Sequence, residues 1–199
     1  MPRLIDHAQR EKDIGDAALR VLAQDGLTAL SVRRVAEEAD LATASLRRAF
    51  PTQEALRQFC LERIHRDVAT RIGTLTGQGV TLALSMLCEL LPLDNVRRTE
   101  LIVQLQLGSL ALTDPSLVKN VHELHSGVRS VCAAALEAIR FTRPHTRTDA
   151  SIEVERLHGL LDGLALHALW DASQETNTRV VATLNHHLRS LDTQESSRT

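Results

Sequence analysis

Aromatic side chains are nearly missing from this sequence: three Phe, one Trp and no Tyr in 199 residues. Proteins that stack unpaired bases on aromatic platforms need more than that, which excludes an RNA- or single-strand-binding surface of that kind. Glycine and proline together number 14, too few for a collagen, a disordered chain or a turn-rich β-sandwich. The three cysteines, Cys60, Cys88 and Cys132, are far apart, odd in number and form no CxxC pair. With no secretory segment expected at the start, they point to a reduced, cytoplasmic protein with ordinary core cysteines. No apolar run approaches the roughly 18 residues of a membrane span. Net charge is −2, so no global basic field exists, and any contact with nucleic acid must rest on local charge. The length is sufficient to bury about 70% of the unfolded surface, so neither a metal nor a disulfide is needed for stability.

What the chain does have is helical periodicity throughout. Strict apolar–polar alternation is almost absent, while spacings of three and four recur everywhere. The first helix is expected from Ala8 to Gln24, with Ile14, Ala18, Val21 and Leu22 on one stripe. Gly26 then suits a left-handed C′ position. Ser31 can cap a short second helix through Ala39, and a third runs from Thr43 to Ala49 before Pro51. Thr52 caps a long fourth helix to about Thr74, with Glu54 in its first turn. Glycines and threonines between Gly73 and Gly79 mark a break. Five more helices follow: Val80–Leu91, Val96–Thr113, Ser116–Arg140, Ser151–Ala172 and Glu175–Leu191. Pro92, Pro115 and Pro144 punctuate them, and the polar end from Asp192 is expected to fray. The fold class is all-α, about nine helices, with a small N-terminal unit over residues 1–60 and a larger one over 61–199.

The informative segment is 31–50, SVRRVAEEADLATASLRRAF. Two short helices joined by a three-residue turn must bury a fixed set against each other, here Val32, Val35, Ala36, Ala39, Leu41, Leu46 and Phe50. Asp40 falls at the turn, where a left-handed backbone is wanted; Asp tolerates it at a cost near 1 kcal/mol. Thr43, Ala44, Ser45, Arg47 and Arg48 are left on the outer face of the second short helix. That is the layout of a helix-turn-helix, whose second helix enters the DNA major groove. The plain alternative is a helical hairpin with a solvated outer face.

With its neighbours the segment resembles the DNA-binding domain of the TetR family of bacterial transcriptional regulators. The family pattern of a helix-ending Gly, a capping Ser or Thr, an apolar–Ala pair, a tight turn, a recognition helix and an aromatic is met by Gly26, Ser31, Val35 and Ala36, Ala39 to Ala42, Ala44 to Arg47, and Phe50. The opening MPRLIDHAQR, the run GLLDGLALHALWD at 159–171 and the closing NHHLRSL resemble regulators with a BetI-type C-terminal half. Three positions depart from the pattern. Arg47 stands for the usual aromatic of the recognition helix, Ala49 for a His, and Gln53 for a phosphate-contacting Lys. The resemblance implies sequence-specific binding of double-stranded DNA and regulation of transcription. It also implies a homodimer on a pseudo-palindromic operator, and a small-molecule effector that releases a repressor. It implies no cofactor, no membrane partner and no enzymatic activity.

The candidate DNA contacts are Ser31, Arg33, Thr43, Ala44, Ser45, Arg47 and Arg48. Arg33 matches a DNA-facing family position, and Arg34 beside it is read as solvated. Arg47 and Arg48 point about 100° apart, so one is suited to a guanine edge and the other to phosphate. Arg3 and Arg10 lie on an N-terminal arm that either contacts DNA or is disordered. Residues 1–60 carry nine basic and nine acidic side chains, so placement of the arginines must decide binding.

The remaining candidates lie beyond the helix-turn-helix. His122 and His125 share a helix face, as do Glu155 and His158. A di-iron bundle needs Glu-x-x-His motifs on two helices plus two more carboxylates on facing helices, so no metal is expected. In the helix reading LIVQLQLGSLALT, apolar nearly all round and so expected to be central, Gln104, Gln106 and Ser109 are polar exceptions. A ligand cavity between about Val80 and Leu169, implied by the family, would draw on Gln104, Gly108, Ser109, His122 and His125, with Cys88 and Cys132 nearby. The alternative is that Gln104 is a satisfied amide in a solid core. Four aromatics cannot build a cage for a quaternary amine, which favours an aliphatic or flexible ligand. The last two helices are expected to dimerise through Leu157, Leu160, Leu161, Leu164, Leu184 and Leu188, unless these are ordinary core leucines. Two other functions stay open: a constitutive DNA-binding regulator without ligand, and a helical carrier or enzyme with an incidental helix-turn-helix.

Overall fold

The computed structural model describes residues 7–140 and 150–193, and every regular element among them is helical. The order is α1 (His7–Asp25), a 3-10 turn (Leu27–Ala29), α2 (Val32–Glu38), α3 (Thr43–Ala49), α4 (Gln53–Gly73), α5 (Gly79–Cys88), α6 (Asn95–Ala111), a second 3-10 turn (Pro115–Leu117), α7 (Val118–Arg140), α8 (Ala150–Trp170) and α9 (Gln174–Thr193). The expected helices and their order match. The expectations for Arg3, for Pro144 and for the end beyond residue 193 fall outside the described residues.

Two compact units emerge: Met1–Asp67 with Ile102–Val121, and Val68–Leu101 with His122–Thr199. The first unit runs past residue 60, and the local contacts explain why. Leu61 and Ile64 are buried, and Arg63 and Arg66 of α4 pair with Asp16 (2.9 Å) and Glu11 (3.0 Å) of α1. These hold a further two turns of α4 to the first unit. The segment Ile102–Val121 joins it through two amides. Gln106 Oε1 accepts the Leu27 backbone N–H at 2.7 Å, and Asn120 Nδ2 donates to Gln58 Oε1 at 2.5 Å.

In the first unit Ile14, Ala17, Ala18, Val21 and Leu22 form the buried stripe of α1, and Val35, Ala36 and Leu46 are fully buried from α2 and α3. The second unit has one core. Ala83 and Leu87 of α5, Cys132, Ala135, Leu136 and Ile139 of α7, Val154, Leu157, Leu161, Leu164, Ala165 and Ala168 of α8, and Val180, Leu184 and Leu188 of α9 pack together. Burial pushes the Cys60 and Cys132 thiols up to about 12, so both stay protonated and behave as small apolar side chains.

The first helix ends differently from expectation. Gly26 has a positive φ of 80°, but its ψ is 174°, an extended conformation essentially reserved for glycine. A Cβ there would stand 3.5 Å from the Gln106 amide, ordinary contact, so the constraint lies in the backbone. Gly26→Ala is expected to lower the stability of the chain by about 1–3 kcal/mol in urea melts.

Candidate nucleic-acid interface

The helix-turn-helix is built from local chemistry. Ser31 is extended at the N-cap of α2, and its hydroxyl accepts the Arg34 N–H at 3.2 Å. The turn that follows closes as a Schellman motif. Asp40 adopts the left-handed φ of 53°, its N–H reaches the Glu37 carbonyl (3.3 Å), and the Leu41 N–H reaches that of Ala36 (2.9 Å). Among the described residues Asp40 is the one non-glycine with positive φ. Seven residues are too few for α3 to be stable alone. Buried Leu46 and the contact of Phe50 with Phe59 of α4, ring centroids 4.9 Å apart, fix it in place. Thr52 Oγ1 accepts the Ala55 N–H at 3.1 Å and starts α4.

Gln53, where the family pattern has a lysine, donates from Nε2 to the Leu30 carbonyl at 2.7 Å. It braces the entry to α2 against the start of α4. This brace, like the docking role of Gln106, was not foreseen. Nothing in the sequence distinguishes these amides from Gln104, because each meets a backbone group more than twenty residues away.

The outer face of α3 carries what the spacing foresaw. Ala44, Arg47, Arg48 and Ala49 are exposed, and Thr43 and Ser45 are half-buried. Arg47 and Arg48 lie in the last turn of α3, where cations also favour the helix dipole. The arginines of the first unit divide sharply by partner. Arg20 pairs with Glu38 (2.8 Å), Arg34 with Asp25 (3.0 Å) and Glu38 (3.4 Å), and Arg63 with Asp16 and with Asp67 (2.7 Å). Arg34, read as solvated, is in fact held in this network between α1 and α2. Arg33 pairs with Glu37 at 2.9 Å, and that bond raises its pKa. The pair is exposed, so it is weak. Arg10, Arg47 and Arg48 have no carboxylate partner among the described residues. The exposed face of α3 thus carries two arginines without a carboxylate partner, although the segment as a whole is balanced.

The other candidates are placed as follows. Gln104 is half-buried, no atom lies within 4 Å of where a Gly108 Cβ would stand, and Ser109, His122 and His125 are exposed. Leu105 of α6 is 39% exposed and Leu112, just past its end, 85%, so α6 is not enclosed on all sides as its composition suggested. The His125 and His158 rings are 5.6 Å apart. Among the described residues no group of three or more His, Cys, Asp or Glu side chains is arranged to hold a metal ion. Leu157, Leu161, Leu164, Leu184 and Leu188 are buried in the core of the chain itself, and Leu160 is half-buried against it. Within the single chain they share that core with residues of α5 and α7. The outward stripe of α8 is instead Ile152, Glu155, Gly159, Asp162 and Trp170.

A helical pair with a capped first helix, a Schellman turn and a cation-bearing second helix defines a helix-turn-helix DNA-binding protein. Comparison with known proteins gives the family. Residues 14–58 match the model of bacterial regulatory proteins of the tetR family, and residues 81–193 match the C-terminal model of the BetI-type transcriptional repressors. The HTH-type transcriptional regulator PksA of Bacillus subtilis (strain 168) is 30% identical over 205 residues, covering 100% of this chain and 98% of that protein. A transcriptional regulator from Rhodococcus sp. Rha1 has the same fold, with a TM-score of 0.76 at 23% identity over 93% of this chain and 96% of its own. The multidrug binding protein EbrR, solved with malachite green, aligns with a TM-score of 0.64 at 26% identity, covering 89% of this chain and 97% of its own. The chain belongs to the TetR family and is a DNA-binding regulator of transcription. No helix among its described residues is long and apolar enough to cross a membrane.

Proposed function

We infer that the protein is a cytoplasmic repressor that binds a pseudo-palindromic operator as a homodimer and leaves it when a small molecule occupies the C-terminal half. DNA recognition is assigned to residues 1–60, effector binding and dimerisation to 61–199. The observation that carries the reading is the group of carboxylate-free arginines at α3. One helix-turn-helix buries too little surface for tight specific binding, and two copies reach successive major grooves about 34 Å apart. Arg47 and Arg48 supply the guanine edge and phosphate contacts, Thr43, Ala44 and Ser45 line the same face, and Arg33 exchanges Glu37 for a phosphate. Ser31 acts through its cap. The dimer forms on the outward faces of α8 and α9, where Ile152 is 61% and Trp170 75% exposed.

Effector control is supported by the BetI-type match over 81–193 and by the ligand bound in EbrR. Gln104 and Gly108 are the residues of α6 suited to an effector, one a half-buried amide and the other beside open space. A solution assay tests the reading: fluorescence anisotropy of labelled upstream DNA against a panel of metabolites and hydrophobic drugs. At least one compound is expected to weaken DNA binding about 5–150-fold, a coupling of about 1–3 kcal/mol. If the DNA is bound and no compound shifts affinity, the protein is a constitutive regulator.

A further inference from the structure

We propose that Arg10, carried by α1 and held by Ser45 of the recognition helix, is a third DNA-backbone contact, and that Ser45 positions Arg10 instead of reading a base. The proposal rests on the DNA-binding reading above. Arg10 falls on the core-facing stripe of α1, in line with Ile14, Ala17 and Val21, all buried. It is one turn beyond the last apolar residue of that stripe. Its aliphatic stem therefore continues the buried face while the guanidinium emerges at the edge, the arrangement a long cationic side chain favours. There Nη2 donates to Ser45 Oγ across 35 residues of sequence, with Arg10 and Ser45 both half-buried.

Two features make this more than a packing contact. Arg10 has no carboxylate partner among the described residues, whereas Arg20, further along the same helix, is paired. A guanidinium has five N–H donors, and a hydroxyl satisfies one, leaving a charged fork pre-oriented beside α3. Ser45 lies three residues before Arg48, on the same side of a helix, so Arg10 and Arg48 flank one hydroxyl. Neither arginine has a carboxylate partner among the described residues, and a pair of cations on that side of α3 suits a phosphate of the DNA backbone. The first turn of α4 offers no cation, since it begins with Gln53 and Glu54.

The test compares full-length parent, R10A, R10K, S45A and R10A/S45A on the same upstream DNA duplex across a salt series, with circular dichroism melts as a control. R10A is expected to weaken binding about tenfold or more and to reduce the salt slope by about one, equally for every operator base variant. R10K is expected to keep the slope and lose part of the affinity. S45A is expected to weaken binding in the parent and to have no further effect once Arg10 is gone, the coupling expected of one contact made by two residues. A parent slope retained in R10A overturns the proposal. So does an S45A effect that persists in R10A and alters preference at one base, which would make Ser45 a base reader. Failure of the parent itself to bind the duplex would instead overturn the DNA-binding reading on which the proposal rests.

Discussion

A variant carrying R47A and R48A is expected to fold like the parent and to lose specific DNA binding. Both side chains are exposed and neither has a carboxylate partner among the described residues, so their removal leaves no buried group unpaired. The melting curve should stay within about 0.5 kcal/mol of the parent, as for surface substitutions generally. Loss of a bidentate guanine contact costs about 1–3 kcal/mol and relaxes one base position, while loss of a phosphate contact lowers the salt slope by about one. Single variants assign the roles, because only one of the two should change base preference. As α3 carries both arginines at adjacent positions, their effects need not add. Unchanged binding in both single variants would mean that α3 does not dock as its exposed face suggests.

The second large effect concerns stability. Arg71, at the end of α4, is expected to be the most costly charged residue to remove from the second unit. Its guanidinium forks onto Glu100 of α6, at 2.9 and 2.8 Å, and reaches Glu89 at 2.8 Å. Glu100 is only 4% exposed. Arg97 continues the network to Glu89 at 3.4 Å and to the Cys88 carbonyl at 2.9 Å. The Glu100 hydrogen bond is the largest influence raising the Arg71 pKa, offset in part by desolvation. Replacing Arg71 by Met leaves a buried carboxylate without its cation, at a cost of about 3 kcal/mol, the low end for breaking a buried pair. In a chain of this size that lowers Tm by about 6–12 °C. Arg71→Lys should recover only part of the loss, since an ammonium cannot fork onto a carboxylate. A double replacement of Arg71 and Glu100 by Met should be milder than Arg71→Met alone. If Arg71→Met melts with the parent, the network contributes nothing to stability.

Much of the fold was legible because it is written in short-range chemistry. Ser31, Asp40, Thr52 and Pro51 act on neighbours within three residues, so the limits of α2, α3 and α4 follow from them directly. The outer face of α3 was legible for the same reason: once Leu46 is inward, Ala44, Arg47 and Arg48 must point out. Pairing at a distance was not legible. Arg20 meets Glu38, Arg63 meets Asp16 and Arg71 meets Glu100 across 18, 47 and 29 residues. No spacing rule selects those carboxylates from the rest. The role of the α8 and α9 leucines was not legible for a related reason. Helical periodicity says that a face is buried, but not whether the chain's own α5 and α7 or a second copy buries it.

In the proposed complex the α3 face of a symmetric dimer reads double-stranded DNA. Footprinting of the upstream DNA with the purified full-length protein, paired with the mass of the complex in solution, tests it most directly. Two protected half-sites about 34 Å apart, or a multiple of that, related by a two-fold axis, are expected. The complex should hold an even number of protein chains, and R47A/R48A should erase the protection pattern. A single monomer bound without sequence preference, or protection that survives loss of both arginines, would contradict it.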